Sequence, residues 1–268
     1  MSAGRNATFS IIIAILGLTT GWNLYSADGT RTEPSIDVAP HCGVPVGLLP
    51  THLPLPLTAS RLAEGDPLVI VAIGSSSTAG HGASHAAASY PARLRDELAL
   101  RFPNSPITVF NKGIGGETAG HMIARFERDV IALKPHLVIW QTGTNSALRN
   151  HSSDQFRQQV SEGIRILRQS GPDVIFITPQ YAPRFNNLPN RMEFVRAVDD
   201  AAMQSGVGLF PRHAIMKYWI ESDRFDFKAI LSSDGLHLND LSYDCVAQLL
   251  AEQIETIVRP IDFALSTR

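Results

Sequence analysis

Cysteine is almost missing from this 268-residue chain, which has only Cys42 and Cys245. Two cysteines so far apart rule out a multi-bridge framework and a cysteine-built zinc site. An excess of charge is missing too. The 23 Lys and Arg stand against 25 Asp and Glu, for a formal charge of −2. A nucleic-acid-binding surface needs a basic stripe that this balance gives no sign of. No internal repeat is visible. GSSSTAGHG lacks the Gly-Lys-Ser/Thr ending of a phosphate-binding loop, and GIGGETAG does not fit the dinucleotide fingerprint. GSSST is not the Gly-x-Ser-x-Gly elbow of the α/β-hydrolase fold either. What remains is average: 44% apolar and 18% charged residues, as in ordinary folded chains and unlike disordered ones.

Long apolar runs are also scarce, with one exception at the start. No charge occurs between Arg5 and Asp28, and Ala7–Leu18 is nearly all apolar. A basic start followed by a short apolar run has the form of an export signal. Extended to Trp22 it approaches the roughly 20 residues of a membrane span. Residues 1–27 therefore read as a signal peptide or a membrane anchor, placing the protein in the periplasm or outside the cell. Residues 28–66 hold six of the chain's 17 prolines: Pro34, Pro40, Pro45, Pro50, Pro54 and Pro56. Such density argues against helix and for an extended tether. Cys42 lies in the tether and Cys245 near the C-terminus; in an oxidising compartment they would pin one to the other, and otherwise they are unrelated thiols.

From residue 67 to 268 the pattern changes. Apolar runs at Leu68–Ile73, Ile107–Phe110, Leu137–Trp140, Val174–Thr178 and Val207–Phe210 are short, rich in β-branched residues, and bounded by Gly or Pro. They predict strands buried on both faces. Between and after them, Tyr90–Arg101, Thr118–Leu133, Ser152–Ser170, Leu188–Ser205 and Leu238–Val258 carry apolar residues at helical spacing. This alternation predicts one α/β domain: three layers, with a central parallel sheet of about five strands. In such sheets the ligand site lies beyond the carboxyl ends of the strands.

Those ends carry a distinctive set of residues. Gly74-Ser75-Ser76-Ser77-Thr78-Ala79-Gly80 follows the first run, and Asn111-Lys112-Gly113-Ile114-Gly115-Gly116 the second. Gln141-Thr142-Gly143-Thr144-Asn145 follows the third, and Asp234-Gly235-Leu236-His237 precedes the last helix. A hydroxyl, a glycine amide, a carboxamide and an acid–imidazole pair are the parts of an acyl-transfer site.

The four blocks, in this order, resemble those of the SGNH hydrolases, the GDSL esterase/lipase superfamily, from about Pro67 onward. The resemblance implies a flavodoxin-like sheet and a serine esterase that needs no metal or organic cofactor. It also implies an acyl-enzyme on Ser76, with His237 as base and Asp234 orienting it. The Ser76 and Gly116 N–H groups and the Asn145 carboxamide would form the oxyanion hole. Small esters or acylated glycans are the implied substrates, with no nucleic-acid partner. One departure stands out: the family's Asp before the nucleophile is Ser75 here. That leaves the support of the nucleophile turn open and makes Ser75 and Ser77 rivals to Ser76. It also leaves open a non-hydrolytic binding protein on the same scaffold; separately, the same chemistry with a sugar hydroxyl in place of water would make an O-acyltransferase.

Other residues carry less. His81 and His85 have i, i+4 spacing, but no third histidine or acid follows at a matching interval, so they read as pocket-rim or solvent-facing. Asn111 reads as a loop-fixing residue. Arg149, Tyr181, Arg184 and the rest of loop 180–187 read as rim or solvated loop.

Overall fold

The computed structural model describes Met1 and residues 42–259. The expected signal or anchor (1–27) and the first part of the proline-rich stretch lie outside the described residues. Among those described, no helix is long and apolar enough to cross a membrane.

The five apolar runs form strands: β1 (Leu68–Gly74), β2 (Ile107–Gly113), β3 (Leu137–Gln141), β4 (Asp173–Ile177) and β5 (Gly208–Phe210). All pair in parallel, in the order β2-β1-β3-β4-β5. This is the flavodoxin-like order, whose switch point lies between β1 and β3. The longer helices are α1 (Pro56–Glu64), α2 (Tyr90–Arg101), α3 (Ser153–Ser170), α4 (Arg191–Ser205), α5 (Arg212–Glu221) and α6 (Asp240–Val258). They flank the sheet in a three-layer α/β/α arrangement.

Between sheet and helices lies a core that includes Trp140, Phe176, Phe126, Phe156 and Phe194, each at most 1% exposed. Burying a side chain of this size contributes about 1.5–3 kcal/mol. The indole N–H of Trp140 donates to Met122 Sδ at 3.2 Å, so its polar atom is not stranded.

Three expectations need correction. Residues 28–66 are not extended throughout, because Pro56–Glu64 is a helix. Its proline stands at the first helical position, where the missing N–H costs nothing. Thr58 fastens this helix to the foot of β4, giving Asp173 Oδ2 its N–H at 2.7 Å and its hydroxyl at 2.8 Å. Leu55 and Leu62 are buried beside it.

β2 is not buried on both faces; it is an edge strand, and Phe110 is 36% exposed.

The stretch Thr118–Leu133 is not one helix but short turns at Ala119–Ile123, Phe126–Asp129 and Ile131–Leu133. Arg125 and Val130 leave helical geometry at the two breaks. The Arg125 side chain turns inward, where its guanidinium serves backbone carbonyls of β1 and β2.

The two cysteines are joined as a disulfide between Cys42 and Cys245, 203 positions apart. The Cys42 carbonyl also accepts the Trp219 indole N–H at 3.0 Å, so the bridge is seated against α5 as well as α6.

Candidate active site

β1 ends at Gly74, and Ser76 opens the short helix Ser76–Ala79. Of the three consecutive serines, Ser75 and Ser77 are buried, at 3% and 1% exposure, while Ser76 is partly open. The Ser76 hydroxyl meets His237 Nε2 at 2.8 Å, across 161 positions of sequence. His237 Nδ1 in turn bonds Asp234 Oδ2. The geometry therefore singles out Ser76 over its two rivals.

Asp234 is itself held firmly. Its Oδ1 accepts the N–H groups of Leu236 and His237, each at 3.0 Å, and the Ser232 hydroxyl at 2.8 Å. Burial, the largest single influence, pushes this carboxyl's pKa up. Hydrogen bonds from the His237 backbone and ring, the Leu236 N–H and Ser232 outweigh it and hold the group well below the usual carboxylate range. Asp234 is thus anionic at neutral pH and fixes the orientation of the His237 ring.

The oxyanion candidates lie on the neighbouring loops. Gly116 has φ +79°, which glycine adopts without strain. A Cβ there would point at Arg149 Nη2, 3.4 Å away. The Asn145 side-chain amide donates to the Glu117 carbonyl at 3.0 Å, which sets the carboxamide against the Gly116–Glu117 backbone. That bond uses one amide hydrogen and leaves the second for a ligand. Among the described residues, the Ser76 and Gly116 N–H groups have no protein acceptor.

Several supporting residues escaped sequence reading. Gln141, the last residue of β3, accepts three donors at its Oε1: the Ser75 N–H at 3.0 Å, the Ser75 hydroxyl at 3.1 Å and the Thr78 hydroxyl at 3.2 Å. This carboxamide supports the nucleophile turn where the family's Asp is replaced by Ser75. The signal was present, since Gln141 is a polar residue at a strand end, but its partner lies 66 positions away.

Arg125 joins the Gly74 carbonyl at 3.3 Å, the Lys112 carbonyl at 2.7 Å and the Glu117 carboxylate at 2.7 Å, tying the first two loops together. Gln180, in a stretch read as rim or solvated loop, is 1% exposed. It accepts from Thr144 at 2.8 Å and Arg212 at 3.0 Å, and donates to the Leu236 carbonyl at 3.2 Å. It thereby links the Asn145 loop to the His237 loop. Arg212 is fully enclosed, and burial brings its pKa down to about 10.

The remaining candidates are scattered. Asn111 accepts the Gly113 N–H at 2.9 Å, as a loop-fixing residue should. His85 is exposed, whereas His81 lies against His237. Tyr181 stacks on Phe227, and the Arg184 N–H donates to the Gly235 carbonyl at 3.3 Å.

Known proteins similar to this chain identify its family. The profile of the Non-GDSL lipase-like family matches residues 41–260, well over half of the chain. An arylesterase from Vibrio mimicus is 26% identical over 174 residues, covering 62% of this chain and 78% of that protein. Thioesterase 1/protease 1/lysophospholipase L1 of Escherichia coli K12 is 25% identical over 214 residues, covering 77% and 93%. Two solved structures share the fold at 22% identity. One is a two-domain esterase active on acetylated mannans, with a TM-score of 0.63 over 74% of this chain and about half (52%) of that one. The other is a catalytic mutant of an acetylxylan esterase from Geobacillus stearothermophilus, with a TM-score of 0.61 over 70% and 94%. The chain belongs to the Non-GDSL lipase-like family, within the SGNH hydrolase superfamily, and is a carboxylic ester hydrolase.

Proposed function

We propose that the protein cleaves a small acyl group, an acetyl in first place, from a glycan or another short ester through an acyl-enzyme on Ser76. The observation that carries this is the hydrogen-bonded chain from Ser76 Oγ to His237 Nε2 and from His237 Nδ1 to Asp234. A serine hydroxyl is a weak nucleophile until a base takes its proton.

In this reading His237 accepts that proton as Ser76 Oγ attacks the ester carbonyl. The carbonyl oxygen becomes an anion held by the Ser76 and Gly116 N–H groups and the free amide hydrogen of Asn145. Collapse expels the alkoxide, which takes the proton back from His237, and leaves Ser76 acylated. A water then gives its proton to His237, attacks the acyl carbon and releases the acid. Asp234 stays ionised throughout and stabilises the imidazolium in both steps. An acyl-enzyme that meets a sugar hydroxyl instead of water would make the protein an O-acyltransferase.

The substrate side of the proposal is supported by the structural neighbours that act on acetylated mannan and xylan. Export is supported by the basic start and apolar run of residues 1–27 and by the disulfide, which suits an oxidising compartment. The test is a chain-length series of p-nitrophenyl esters run beside acetylated xylan and acetylated mannan, with Ser76→Ala as control. Activity greatest on acetyl groups and absent from Ser76→Ala is expected. Equal rates for wild type and Ser76→Ala on every ester would end the proposal. Products made in the presence of added glycan distinguish hydrolysis from transfer.

A further inference from the structure

His81 takes no part in the hydrogen-bond chain of the triad, yet its ring lies against that of His237. The ring centroids are 4.3 Å apart and the planes tilted by 60°. The backbone of His81 is fixed from both sides: its N–H donates to the Ser76 carbonyl at 2.9 Å, and its carbonyl accepts the Tyr243 hydroxyl at 2.7 Å. The next residue, Gly82, passes so close to the histidine loop that a Cβ would fall 2.3 Å from the Leu238 carbonyl oxygen and 3.2 Å from His237 Cβ. No side chain fits there, so the approach of His81 to His237 is built into the backbone. The His81 side chain is exposed, and among the described residues no hydrogen bond uses its ring nitrogens.

Asp234 completes a set of three. One ligand atom from each of His81, Asp234 and His237 lies within 4.8 Å of the other two. Two imidazoles and a carboxylate are a donor set suited to zinc, which binds such atoms at about 2.0–2.2 Å. Bonds of that length in a tetrahedron set ligand atoms about 3.3 Å apart. The exposed His81 ring and the Asp234 carboxylate, which must give up its bond to His237 Nδ1 or face Nε2 instead, are the groups that would have to adjust.

We propose that His81, His237 and Asp234 form an inhibitory site for a borderline divalent cation, Zn²⁺ above all. The inference rests on the reading of His237 as catalytic base. Whichever His237 nitrogen the metal takes, catalysis needs it: Nε2 receives the Ser76 proton, and Nδ1 holds the proton shared with Asp234. Metal and substrate therefore compete for one imidazole, and the cation switches the enzyme off without touching the oxyanion hole. Hard cations that prefer all-oxygen surroundings, such as Mg²⁺, do not compete.

The experiment titrates the chelator-treated full chain with ZnCl₂, read by calorimetry and by p-nitrophenyl acetate hydrolysis. Wild type is expected to bind zinc, lose at least about tenfold in rate, and recover on addition of EDTA; MgCl₂ should have no such effect. His81→Gln is expected to raise the half-inhibiting zinc concentration by about 10–100-fold, on the scale of a lost metal-site contact. His85→Gln, in the same loop, should not. Inhibition of His81→Gln at the wild-type zinc concentration overturns the proposal. So does zinc binding that inhibits nothing, or calorimetry that is unchanged in His237→Asn. If no ester is turned over, the esterase reading fails by itself, and calorimetry of wild type, His81→Gln and His237→Asn still decides whether the metal site exists.

Discussion

Ser75 and Gln141 are joined twice, by the Ser75 N–H at 3.0 Å and its hydroxyl at 3.1 Å, both given to Gln141 Oε1. With the Thr78 hydroxyl as a third donor, one carboxamide oxygen holds both ends of the nucleophile turn. Ser75→Ala removes a single neutral hydrogen bond and is expected to cost about 1 kcal/mol in a denaturant melt, with most activity retained. Gln141→Leu strands the two Ser75 donors, leaves the Thr78 hydroxyl only Tyr90 as partner, and is expected to cost about 2–4 kcal/mol and to lower kcat as the turn loosens. If Ser75→Ala abolished turnover as fully as Ser76→Ala, the support role would be wrong.

Asn145→Ala tests the oxyanion hole. Losing one preorganised donor is expected to reduce kcat by about 10²–10³-fold while KM changes little. A variant that raised KM alone would place Asn145 in substrate binding instead.

Asp234→Asn keeps the shape of the triad but removes the charge that orients His237. Turnover of p-nitrophenyl acetate is expected to fall by about 10⁴-fold, with the fold intact by circular dichroism. A loss of only a few fold would mean that another group orients the ring.

Asp199 gives a stability prediction with a definite sign. Burial first, and the charge of Asp200 second, push its pKa up to about 6, and its Oδ1 has no hydrogen-bond partner. The unfolded chain titrates this group near 3.9. The native state therefore holds the proton more tightly, and stability falls as pH rises from about 4 to 6. Above that window the full penalty applies, about 1 kcal/mol after allowance for partial solvent screening. Asp199→Asn should raise Tm at pH 7 and leave it unchanged at pH 4. His213 works the other way: burial first, then Lys217, Arg191 and Arg212, lower its pKa to about 4, so its contribution is lost as pH falls. The difference in Tm between variant and wild type isolates Asp199. An equal shift at both pH values would refute its assignment.

The disulfide closes a loop of 203 residues. Replacing both cysteines by serine, or reducing them, is expected to cost about 2–5 kcal/mol in the guanidinium midpoint. Turnover at 25 °C should survive, because neither sulfur touches the triad. An unchanged midpoint would show that packing around Leu55 and Trp219 alone holds this segment.

The sequence was most informative where chemistry is local. Ser76 stands just past a strand end that the apolar pattern marks in advance, Asp234 and His237 stand just before the last helix, and all five strand starts fall within a residue of the run that announced them. What stayed hidden depends on distant partners. Pro56 looked like a helix breaker because proline density says nothing of position, and at the start of a helix it is harmless. The apolar spacing across Thr118–Leu133 runs on, yet Arg125 breaks the helix to reach carbonyls of β1 and β2. His81 looked unpartnered because its neighbours, Asp234 and His237, come from the far end of the chain.

The order in which the chain is made gives the Cys42–Cys245 bridge another meaning. Cys42 leaves the ribosome early, but its partner emerges only after β5, α5 and the histidine loop have been synthesised. Correct pairing therefore cannot precede the arrival of Ser76, Asp234 and His237. A molecule carrying this bond has been made at least as far as the last helix, so its oxidation state reports that Ser76, Asp234 and His237 are all present in the chain.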